Sequence, residues 1–171
     1  MSRPDFSYCP YCATALAVRE IYRQQRPVCP TCGFVHFLDP KVAVVGLVTH
    51  AEQVLLIRRV VDPGKGQWSL PGGYMDAGEM PEAALQRELL EEIGLPVKIE
   101  TLLTIFPMVG ATGRSQGIVL AYHAVPADPA QTTLLCDDDV SEAGWFTHTM
   151  LPADLAFEST KTLLARWVSN S

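Results

Sequence analysis

The sequence predicts an α/β protein in which a mixed β-sheet lies between helices, preceded by a small zinc ribbon. Two Cys-x-x-Cys pairs near the start of the chain indicate the ribbon, at residues 1–38. Apolar, β-branched runs on both sides of an amphipathic helical segment, followed by a second helical segment, indicate the sheet between helices, at residues 39–171.

The ribbon is indicated by CPYC, with Cys9 and Cys12, and by CPTCG sixteen residues later, with Cys29 and Cys32. Four thiolates at this spacing are typical of a tetrahedral Zn²⁺ site. Two disulfides are the weaker interpretation for a chain in a reducing cytosol. Four cysteines close the coordination shell, so we expect the zinc to be structural. Ala13 stands where a glycine commonly follows the second cysteine of such a turn.

The larger domain follows a junction at residues 37–42 and contains five predicted strands. A polar turn at His50 to Gln53 separates the first two, and a glycine-rich loop separates the third from the fourth. The predicted strands are residues 42–48, 53–59, 97–109, 117–125 and 144–147. A final helix begins near Phe157, and its core-facing stripe comprises Thr160, Leu163, Leu164 and Trp167.

The first helix is predicted at residues 81–93. Pro81 suits a first helical position, because its missing N–H would have no partner there, and Gly94 followed by Pro96 ends the helix. At about 100° per residue, two separate faces emerge. One carries Leu85, Leu89 and Ile93, and the other carries Glu88, Glu91 and Glu92.

The acidic face of this helix predicts a cation site. Glu88 and Glu92 are like charges one turn apart, which costs roughly 0.2–0.5 kcal/mol, and anions near a helix C-terminus meet the negative end of its dipole. Arg87 can pair with Glu91, but one guanidinium cannot neutralise three carboxylates. Mg²⁺ prefers carboxylate oxygens and keeps waters and phosphates as its other ligands. The alternative is a solvated acidic face, and the surrounding pattern decides against it.

Nine positions match the signature of the Nudix hydrolases: G, five residues, E, seven residues, R-E-U, one residue, E-E, one residue, G-U, with U apolar. They are Gly73, Glu79, Arg87, Glu88, Leu89, Glu91, Glu92, Gly94 and Leu95. The stretch QWSLPGGYMDAGE is also similar to the family's approach to this signature. The chain therefore resembles that family, which implies an α/β/α sandwich and a Nudix hydrolase domain at residues 39–171.

The resemblance further implies a reaction and its catalytic residues. Water would attack one phosphorus of a nucleoside diphosphate linked to another moiety. Catalytic Mg²⁺ or Mn²⁺ would be bound by the Gly73 carbonyl and the carboxylates of Glu88, Glu91 and Glu92. Arg87 and Glu79 would orient that set.

The general base is left open between residues inside and outside the signature. Glu91 or Glu88 could take the proton, and so could an acid of the segment CDDDVSEAGWF, where Asp139 and Glu142 are the candidates. Capping of backbone N–H groups in a turn is the preferred interpretation for Asp137 and Asp138. For Asp139, the capping and catalytic interpretations are balanced.

Candidate substrate contacts are three arginines and two aromatic residues. Arg58 and Arg59 end a strand, Arg114 lies in the glycine-rich loop, and a guanidinium fork can bind two phosphate oxygens; we expect one of the three to contact substrate. Trp68 and Phe106 either stack on an adenine or form a wall of the core. Three further residues are predicted to be buried and apolar in role: Trp145, Phe146 and Cys136.

The substrate is predicted from short segments around the signature. A zinc ribbon ahead of a Nudix domain occurs in the NADH pyrophosphatases, but their Ser-Gln-Pro-Trp-Pro-Phe-Pro element is replaced here by TIFPMVGATGRSQG. DPKVAVVG, LPGGYMDAGE and LPADLAFEST resemble zinc-ribbon Nudix proteins grouped with ADP-ribose and FAD pyrophosphatases. The resemblance favours ADP-ribose or FAD as substrate, with NADH as the alternative.

Composition limits the partners and the location. A net charge of −6 argues against a broad nucleic-acid surface, although a local basic patch could lie within it. The resemblance implies a small nucleotide as the partner. No apolar run reaches membrane-spanning length and no signal peptide is evident, so we expect a cytoplasmic protein. We expect the ribbon to support a homodimer.

A second functional class stays open. The chain could be a non-catalytic regulator that senses a nucleotide and binds nucleic acid through the ribbon, which carries arginines at positions 19, 23 and 26, with Arg3 just outside the cysteines. Such a protein would be free to lose residues of the signature, whereas this signature is complete. Metal-dependent turnover of a dinucleotide would distinguish an enzyme from a regulator.

Overall fold

A computed structural model describes residues 6–109, 115–137 and 139–169 of the chain. By contacts the chain divides into two compact units, Met1–Asp39 and Pro40–Ser171. The first contains the cysteine pairs, and the second contains the helices and the large sheet. Within the described residues, no helix has both the length and the apolarity needed to cross a bilayer.

The first unit is built on one antiparallel hairpin, formed by strands β1 (Ala17–Ile21) and β2 (Gln24–Val28). Its two cysteine turns have the same backbone hydrogen bond: Ala13 donates to the Cys9 carbonyl at 2.9 Å, and Gly33 donates to the Cys29 carbonyl at 3.1 Å. Both turn residues have positive φ, 55° at Ala13 and 76° at Gly33. The alanine therefore accepts the left-handed conformation that a glycine adopts more easily.

The described residues of the second unit form six strands and two helices. They are β3 (Lys41–His50), β4 (Gln53–Arg59), β5 (Trp68–Ser69), α1 (Pro81–Ile93), β6 (Val97–Val109), β7 (Ser115–Pro126), β8 (Val140–Thr147) and α2 (Glu158–Ser169). The first helix has the predicted bounds, and each of the five predicted strands is present. Strand β8 begins earlier than predicted, and β5 was not predicted. The predicted domain limits of 1–38 and 39–171 stay a prediction.

The large sheet is mixed, as predicted. Its order is β5-β4-β3-β7-β6, with β8 added beside β4. Strands β3 and β7 are parallel, and the remaining pairs are antiparallel. The β3–β4 pairing is confined to the hairpin end, where Thr49 faces Val54 and His50 faces Gln53.

The segment after β5 lies beside the part of β3 that β4 leaves unpaired. Gly46 donates to the Pro71 carbonyl, Val44 donates to the Gly73 carbonyl, and Met75 donates to the Val42 carbonyl, at 2.9–3.0 Å. Residues 71–75 are thus held by backbone hydrogen bonds along β3. This is the segment that leads into α1.

Each face of the sheet packs against one helix. On β4, Leu55 and Ile57 belong to the cluster around α1, and the alternate residues Val54 and Leu56 belong to the cluster around α2. This alternation follows from the two-residue period of a strand. The predicted core residues of α1, Leu85, Leu89 and Ile93, are fully inaccessible. In the predicted stripe of α2, Thr160, Leu163 and Leu164 are buried, and Trp167 is half-buried against the α2 cluster. Trp145 packs against the α1 cluster and Phe146 against the α2 cluster, both half-buried.

The prediction for Cys136 is wrong. The cysteine is exposed, as is the preceding Leu135, because the segment between β7 and β8 runs over the surface near the end of α1. The apolar pair before Cys136 suggested burial, but only Leu134 packs against the α1 cluster.

We expect Leu89→Ala and Leu90→Ala to differ sharply in stability. Leu89 is fully buried, so its truncation should lower the free energy of unfolding by about 2–5 kcal/mol. Leu90 is its neighbour on the exposed side of α1, and its truncation should cost under about 0.5 kcal/mol. Denaturant titrations followed by tryptophan fluorescence test this, because all three tryptophans lie in Pro40–Ser171. Equal midpoints for the two variants would contradict the assigned faces of α1.

Candidate functional site

The acidic face occupies the C-terminal half of α1. Pro81 stands in the first turn, and Gly94 closes the helix in the left-handed conformation, with φ 65°. The Gly94 N–H donates to the Leu90 carbonyl at 3.0 Å, and the Leu95 N–H donates to the Leu89 carbonyl at 3.3 Å. The helix thus ends immediately after Glu91 and Glu92. Its apolar face fixes the helix on the sheet, so the carboxylates project from a rigid element.

The Gly72–Gly73 turn lies in close contact with both β3 and α1. A Cβ on Gly72, whose φ is 134°, would overlap the Val44 carbonyl oxygen. A Cβ on Gly73 would overlap the carboxylate of Glu88. Glycine is required at position 72, where the obstacle is backbone; at position 73 a side chain would displace the Glu88 carboxylate. The structure thus brings together Gly73 and Glu88, two of the predicted metal ligands. The Gly73 carbonyl also accepts a hydrogen bond from the Val44 N–H at 2.9 Å, which leaves one lone pair of its oxygen.

Arg87 joins three carboxylates and the turn. It donates from Nε and Nη2 to the two carboxylate oxygens of Glu79 at 2.9 and 3.0 Å, and from Nη1 to Glu88 at 2.9 Å and Glu91 at 3.0 Å. Nη2 also donates to the Tyr74 carbonyl at 3.1 Å. The hydrogen bonds from Arg87 hold the pKa of Glu79 below its usual value. These are the contacts through which Arg87 and Glu79 would orient the carboxylates, as the resemblance implies.

Glu92 is the most buried acid of the cluster. Its side chain accepts the Gly72 N–H at 2.9 Å, and only 8% of the residue is exposed. Burial raises the pKa of Glu92 to about 8, against the opposing effect of the Gly72 N–H. The negative charges of Glu88 and Asp139 raise this pKa further, and the positive charge of Arg59 lowers it. Arg59 and Asp139 therefore act on the same carboxylate.

These carboxylates have an unmet demand for positive charge. Burial also raises the pKa of Glu88, although Arg87 donates to it. The donors of Arg87 are directed to Glu79, Glu88, Glu91 and a carbonyl, and none is directed to Glu92. A set of hard oxygen donors with this deficit fits Mg²⁺ or Mn²⁺. The oxygens are not gathered into one cluster: in the described residues, the cysteines alone form a group of three or more ligands within 4.8 Å.

The segment before β8 brings Asp139 to this site. Leu135 donates to the Ile93 carbonyl and Asp137 to the Glu92 carbonyl, at 2.9 and 3.0 Å, which ties the segment to the end of α1. The Asp139 carbonyl accepts the Val60 N–H at 3.0 Å, so Asp139 is also anchored beside the end of β4. Asp138 lies outside the described residues.

The two arginines at the end of β4 differ in their contacts. Arg58 pairs with Glu142 at 3.3 Å and lies over the Trp68 ring, 5.0 Å from its centre. Glu142 is thus paired with Arg58. Arg59 donates to the Pro63 carbonyl and lies over the Phe157 ring. Of the two arginines, Arg59 is the one whose charge acts on Glu92.

The remaining predicted substrate contacts are not brought together. Trp68 is buried in the α2 cluster and meets Phe146 edge to face at 4.9 Å, which favours its alternative interpretation as a wall of the core. Phe106 is half-buried and packs against the same cluster. Arg114 lies outside the described residues.

Tyr74, which is adjacent to Gly73, and Lys41, which contacts it, were missed in the sequence. Tyr74 directly follows Gly73, and Lys41 begins β3; the Lys41 ammonium lies 5.1 Å from the centre of the Tyr74 ring. The sequence could have indicated Tyr74 as a candidate site residue, because it is adjacent to Gly73, a predicted metal ligand. Nothing in the sequence connects Lys41 to it, since their contact depends on residues 71–75 lying along β3.

The four cysteines of the first unit form a second candidate metal site. Their Sγ atoms lie within 4.8 Å of one another, with separations of 3.4 Å (Cys12–Cys29), 3.5 Å (Cys9–Cys32) and 3.7 Å (Cys12–Cys32). Tetrahedral Zn–S bonds of about 2.3 Å imply sulfur separations of about 3.8 Å. The Cys32 N–H donates to the Cys29 Sγ and lowers the pKa of that thiol to about 6, which favours the thiolate. The group fits Zn²⁺.

Comparisons with known proteins agree with this geometry. A family model described as the NUDIX domain matches residues 39–167. An ADP-ribose pyrophosphatase of Methanocaldococcus jannaschii is 35% identical over 133 residues, which cover 77% of this chain and 76% of that protein. An NAD-capped RNA hydrolase, NudC, of Mycobacterium bovis is 33% identical over 130 residues, which cover 74% of this chain but 39% of that protein. A crystal structure of a NUDIX hydrolase from Nitrosomonas europaea has a TM-score of 0.86 at 25% identity, covering 96% of this chain and 92% of that one.

We expect one zinc ion per chain after purification without added metal. Cys9→Ser should lose it, because three thiolates cannot close the shell. Cys136→Ser is the matched control: this exposed cysteine lies outside the cluster, so the variant should keep full zinc. Elemental analysis of the purified variants measures the content. Protein that contains two disulfides and no zinc under reducing conditions would overturn the assignment.

Arg87→Met should destabilise the second unit far more than Arg58→Met. Its loss leaves the half-buried carboxylates of Glu79 and Glu88 without their ion-pair partner, which should lower the free energy of unfolding by roughly 1.5–3 kcal/mol. The Arg58–Glu142 pair is largely exposed and should contribute about 1 kcal/mol or less. The Arg87 effect should shrink in acid. The lowered pKa of Glu79 stabilises the fold above the ordinary carboxyl pKa, and that contribution is lost as pH falls. Urea titrations between pH 3 and pH 7 measure both; an effect that grew in acid would contradict the network.

Proposed function

The chain belongs to the NUDIX family, and from this premise we propose that it hydrolyses the pyrophosphate bond of ADP-ribose or FAD. The products would be AMP and a second phosphorylated compound, ribose 5-phosphate or FMN. The observation that supports this choice of substrate is the similarity to an ADP-ribose pyrophosphatase, which extends over 76% of that protein. The general activity, that of a Nudix pyrophosphatase, follows from the family itself.

The residues that would hold the catalytic metal are the Gly73 carbonyl and the carboxylates of Glu88, Glu91 and Glu92. Mg²⁺ or Mn²⁺ bound there lowers the pKa of a water molecule and neutralises charge on the phosphate oxygens. The chain prepares this site in two ways. Arg87 holds Glu88 and Glu91 in place, and the Gly72 N–H holds Glu92.

The proton of the attacking water would pass to Glu91, Glu88 or Asp139. Glu91 is the most exposed of the signature glutamates, with 57% of its side chain accessible, so it can reach a substrate without moving the core. Glu88 is half-buried and hydrogen-bonded to Arg87, which makes it better suited to holding the metal. Asp139 acts on Glu92 from the segment before β8. These contacts favour Glu91 or Asp139 as the base.

Arg59 is the arginine that best suits a substrate phosphate. Its charge acts at Glu92, and its own contacts are with the Pro63 carbonyl and the Phe157 ring, whereas Arg58 is paired with the carboxylate of Glu142. A phosphate beside the carboxylates would meet a guanidinium able to bind two oxygens. Arg114 stays a candidate from sequence alone.

NADH is the second candidate substrate. The similarity to an NAD-capped RNA hydrolase favours a nicotinamide dinucleotide, although this chain spans 39% of that protein. The proline- and tryptophan-rich element expected of NADH pyrophosphatases is absent from the sequence. ADP-ribose is therefore proposed ahead of NADH as the substrate.

We further propose that the ribbon supports a homodimer.

The test is a turnover screen with ADP-ribose, FAD and NADH, each with Mg²⁺, with Mn²⁺ and with a chelator. We expect ADP-ribose to yield AMP and ribose 5-phosphate, with turnover abolished by the chelator. In ¹⁸O-labelled water, the label should enter a phosphate group of one product and no sugar carbon, because the attack is at phosphorus. Label on carbon, or turnover that survives chelation, would refute the proposal.

Glu91→Gln and Glu92→Gln should each lower kcat at least about 100-fold, because bound metal supplies several kcal/mol and each 1.4 kcal/mol is tenfold. Each change removes one charge at nearly constant volume. Glu100→Gln is the matched control, since Glu100 pairs with Lys98 on β6 and should be silent. Near-normal kcat in either of the first two variants would exclude that carboxylate as a necessary ligand. Circular dichroism verifies that each variant is folded.

A further inference from the structure

Tyr74 is a large aromatic residue held beside the carboxylates but left half-exposed. It follows Gly73, its carbonyl accepts Nη2 of Arg87 at 3.1 Å, and its backbone pairs with Ala43 on β3. These contacts fix its backbone to the two elements that form the site. Nevertheless, 54% of the residue is accessible to solvent. Burial therefore does not explain why a tyrosine stands here.

Two contacts orient the Tyr74 ring. The Lys41 ammonium lies 5.1 Å from the ring centre, and the hydroxyl donates to Met108 Sδ at 3.8 Å. Because Tyr74 faces Ala43 across an antiparallel bridge, Lys41 is its diagonal neighbour on the same face. Gly117 lies between Lys41 and Met108 in the strand register, and the Lys41 backbone passes so close to it that a Cβ at this position would overlap the Lys41 carbonyl. These contacts fix the orientation of the Tyr74 ring and place the Lys41 ammonium over one of its faces.

Lys41 is available to an anion. The ion pairs among the described residues do not include it, and the residue is exposed. Trp68 is buried and Phe106 is half-buried against the α2 cluster. Tyr74 is therefore better placed than either predicted aromatic to meet a base near the carboxylates.

We propose that Tyr74 and Lys41 form the subsite for the nucleoside monophosphate half of the substrate. The nucleobase stacks on the exposed part of the Tyr74 ring, and the Lys41 ammonium binds a phosphate oxygen of the same nucleotide. Aromatic rings bind bases through dispersion and π contacts that any base can make, and a lysine ammonium binds phosphate as a point charge. The assignment rests on the proposed function, because it takes the substrate to be a nucleoside diphosphate derivative.

The test compares two ligands that share a phosphate and differ in the base. Calorimetric titration of the intact protein with AMP and with ribose 5-phosphate, in the presence of Mg²⁺, gives both dissociation constants. Tyr74→Ala should raise the dissociation constant of AMP by about 5- to 100-fold. The dissociation constant of ribose 5-phosphate should change by no more than about twofold. Lys41→Met should weaken both ligands. In turnover of ADP-ribose, Tyr74→Ala should raise KM with little change in kcat, since stacking acts equally on ground state and transition state.

Conservative variants separate stacking from structural damage. Tyr74→Phe keeps the ring and should retain AMP affinity, whereas Tyr74→Leu keeps apolar volume and should not. Lys98→Met is the matched control for Lys41, because Lys98 is an exposed lysine paired with Glu100 on β6. Equal loss of AMP and ribose 5-phosphate in Tyr74→Ala, or loss of AMP in Tyr74→Phe as large as in Tyr74→Ala, would overturn the stacking role. Unchanged affinity in Lys41→Met would overturn the phosphate contact.

The same experiments distinguish failure of the proposed hydrolysis from failure of the proposed subsite. Wild-type protein that binds AMP through Tyr74 but cleaves no dinucleotide would refute the hydrolysis and keep the subsite. Wild-type protein that cleaves ADP-ribose, with KM and AMP affinity unchanged in Tyr74→Ala, would keep the hydrolysis and refute the subsite.

Discussion

The close approach of the Gly72–Gly73 turn to α1 on one side and β3 on the other is the constraint on which the site depends. Neither glycine has room for a Cβ: one position is filled by the Val44 carbonyl, the other by the Glu88 carboxylate. The turn can lie there because β3 and β4 pair only at their hairpin end, which frees the first half of β3 for backbone hydrogen bonds with residues 71–75. The contacts that build the fold are thus the contacts that place the Gly73 carbonyl beside the acidic face.

Charge is distributed unevenly over that face. Arg87 serves Glu79, Glu88 and Glu91 together, and Glu92 lies deeper, bonded to a backbone N–H. An amide N–H offers only a partial positive charge, so burial dominates and the pKa of Glu92 is raised to about 8. The apolar face of the same helix packs in the core and holds these closely spaced negative charges in place. A rigid helix that carries costly charges on one side and buried leucines on the other is the arrangement that the proposed cation site requires.

Much of this arrangement could be predicted from the sequence because it is local. Pro81 and Gly94 mark the ends of α1, and helical spacing separates Leu85 and Leu89 from Glu88. What could not be predicted depends on tertiary pairing. Strand β5 has two residues and exists only because β4 lies beside it. Arg58 and Arg59 are adjacent in sequence, so their side chains leave the strand on opposite faces, and only the structure shows that Arg59 is the one that acts on Glu92. The exposure of Cys136 and the burial of Trp68 also depend on tertiary structure, because the path of the surrounding chain determines both.

The net charge of −6 sets how such a protein can recognise an anionic substrate. Long-range attraction is unfavourable, and salt screens what remains beyond about 8–10 Å. Recognition must therefore come from short-range contacts at the site, where a few cations are placed among the acids. Arg59 acts on Glu92 from the end of β4, and Lys41 stands over Tyr74 at the start of β3. Cations positioned on separate strands suit a compact ligand with closely spaced charges, and a pyrophosphate linked to a stacking base has that form. A long polyanion would meet the same cations but would also extend over a surface that repels it.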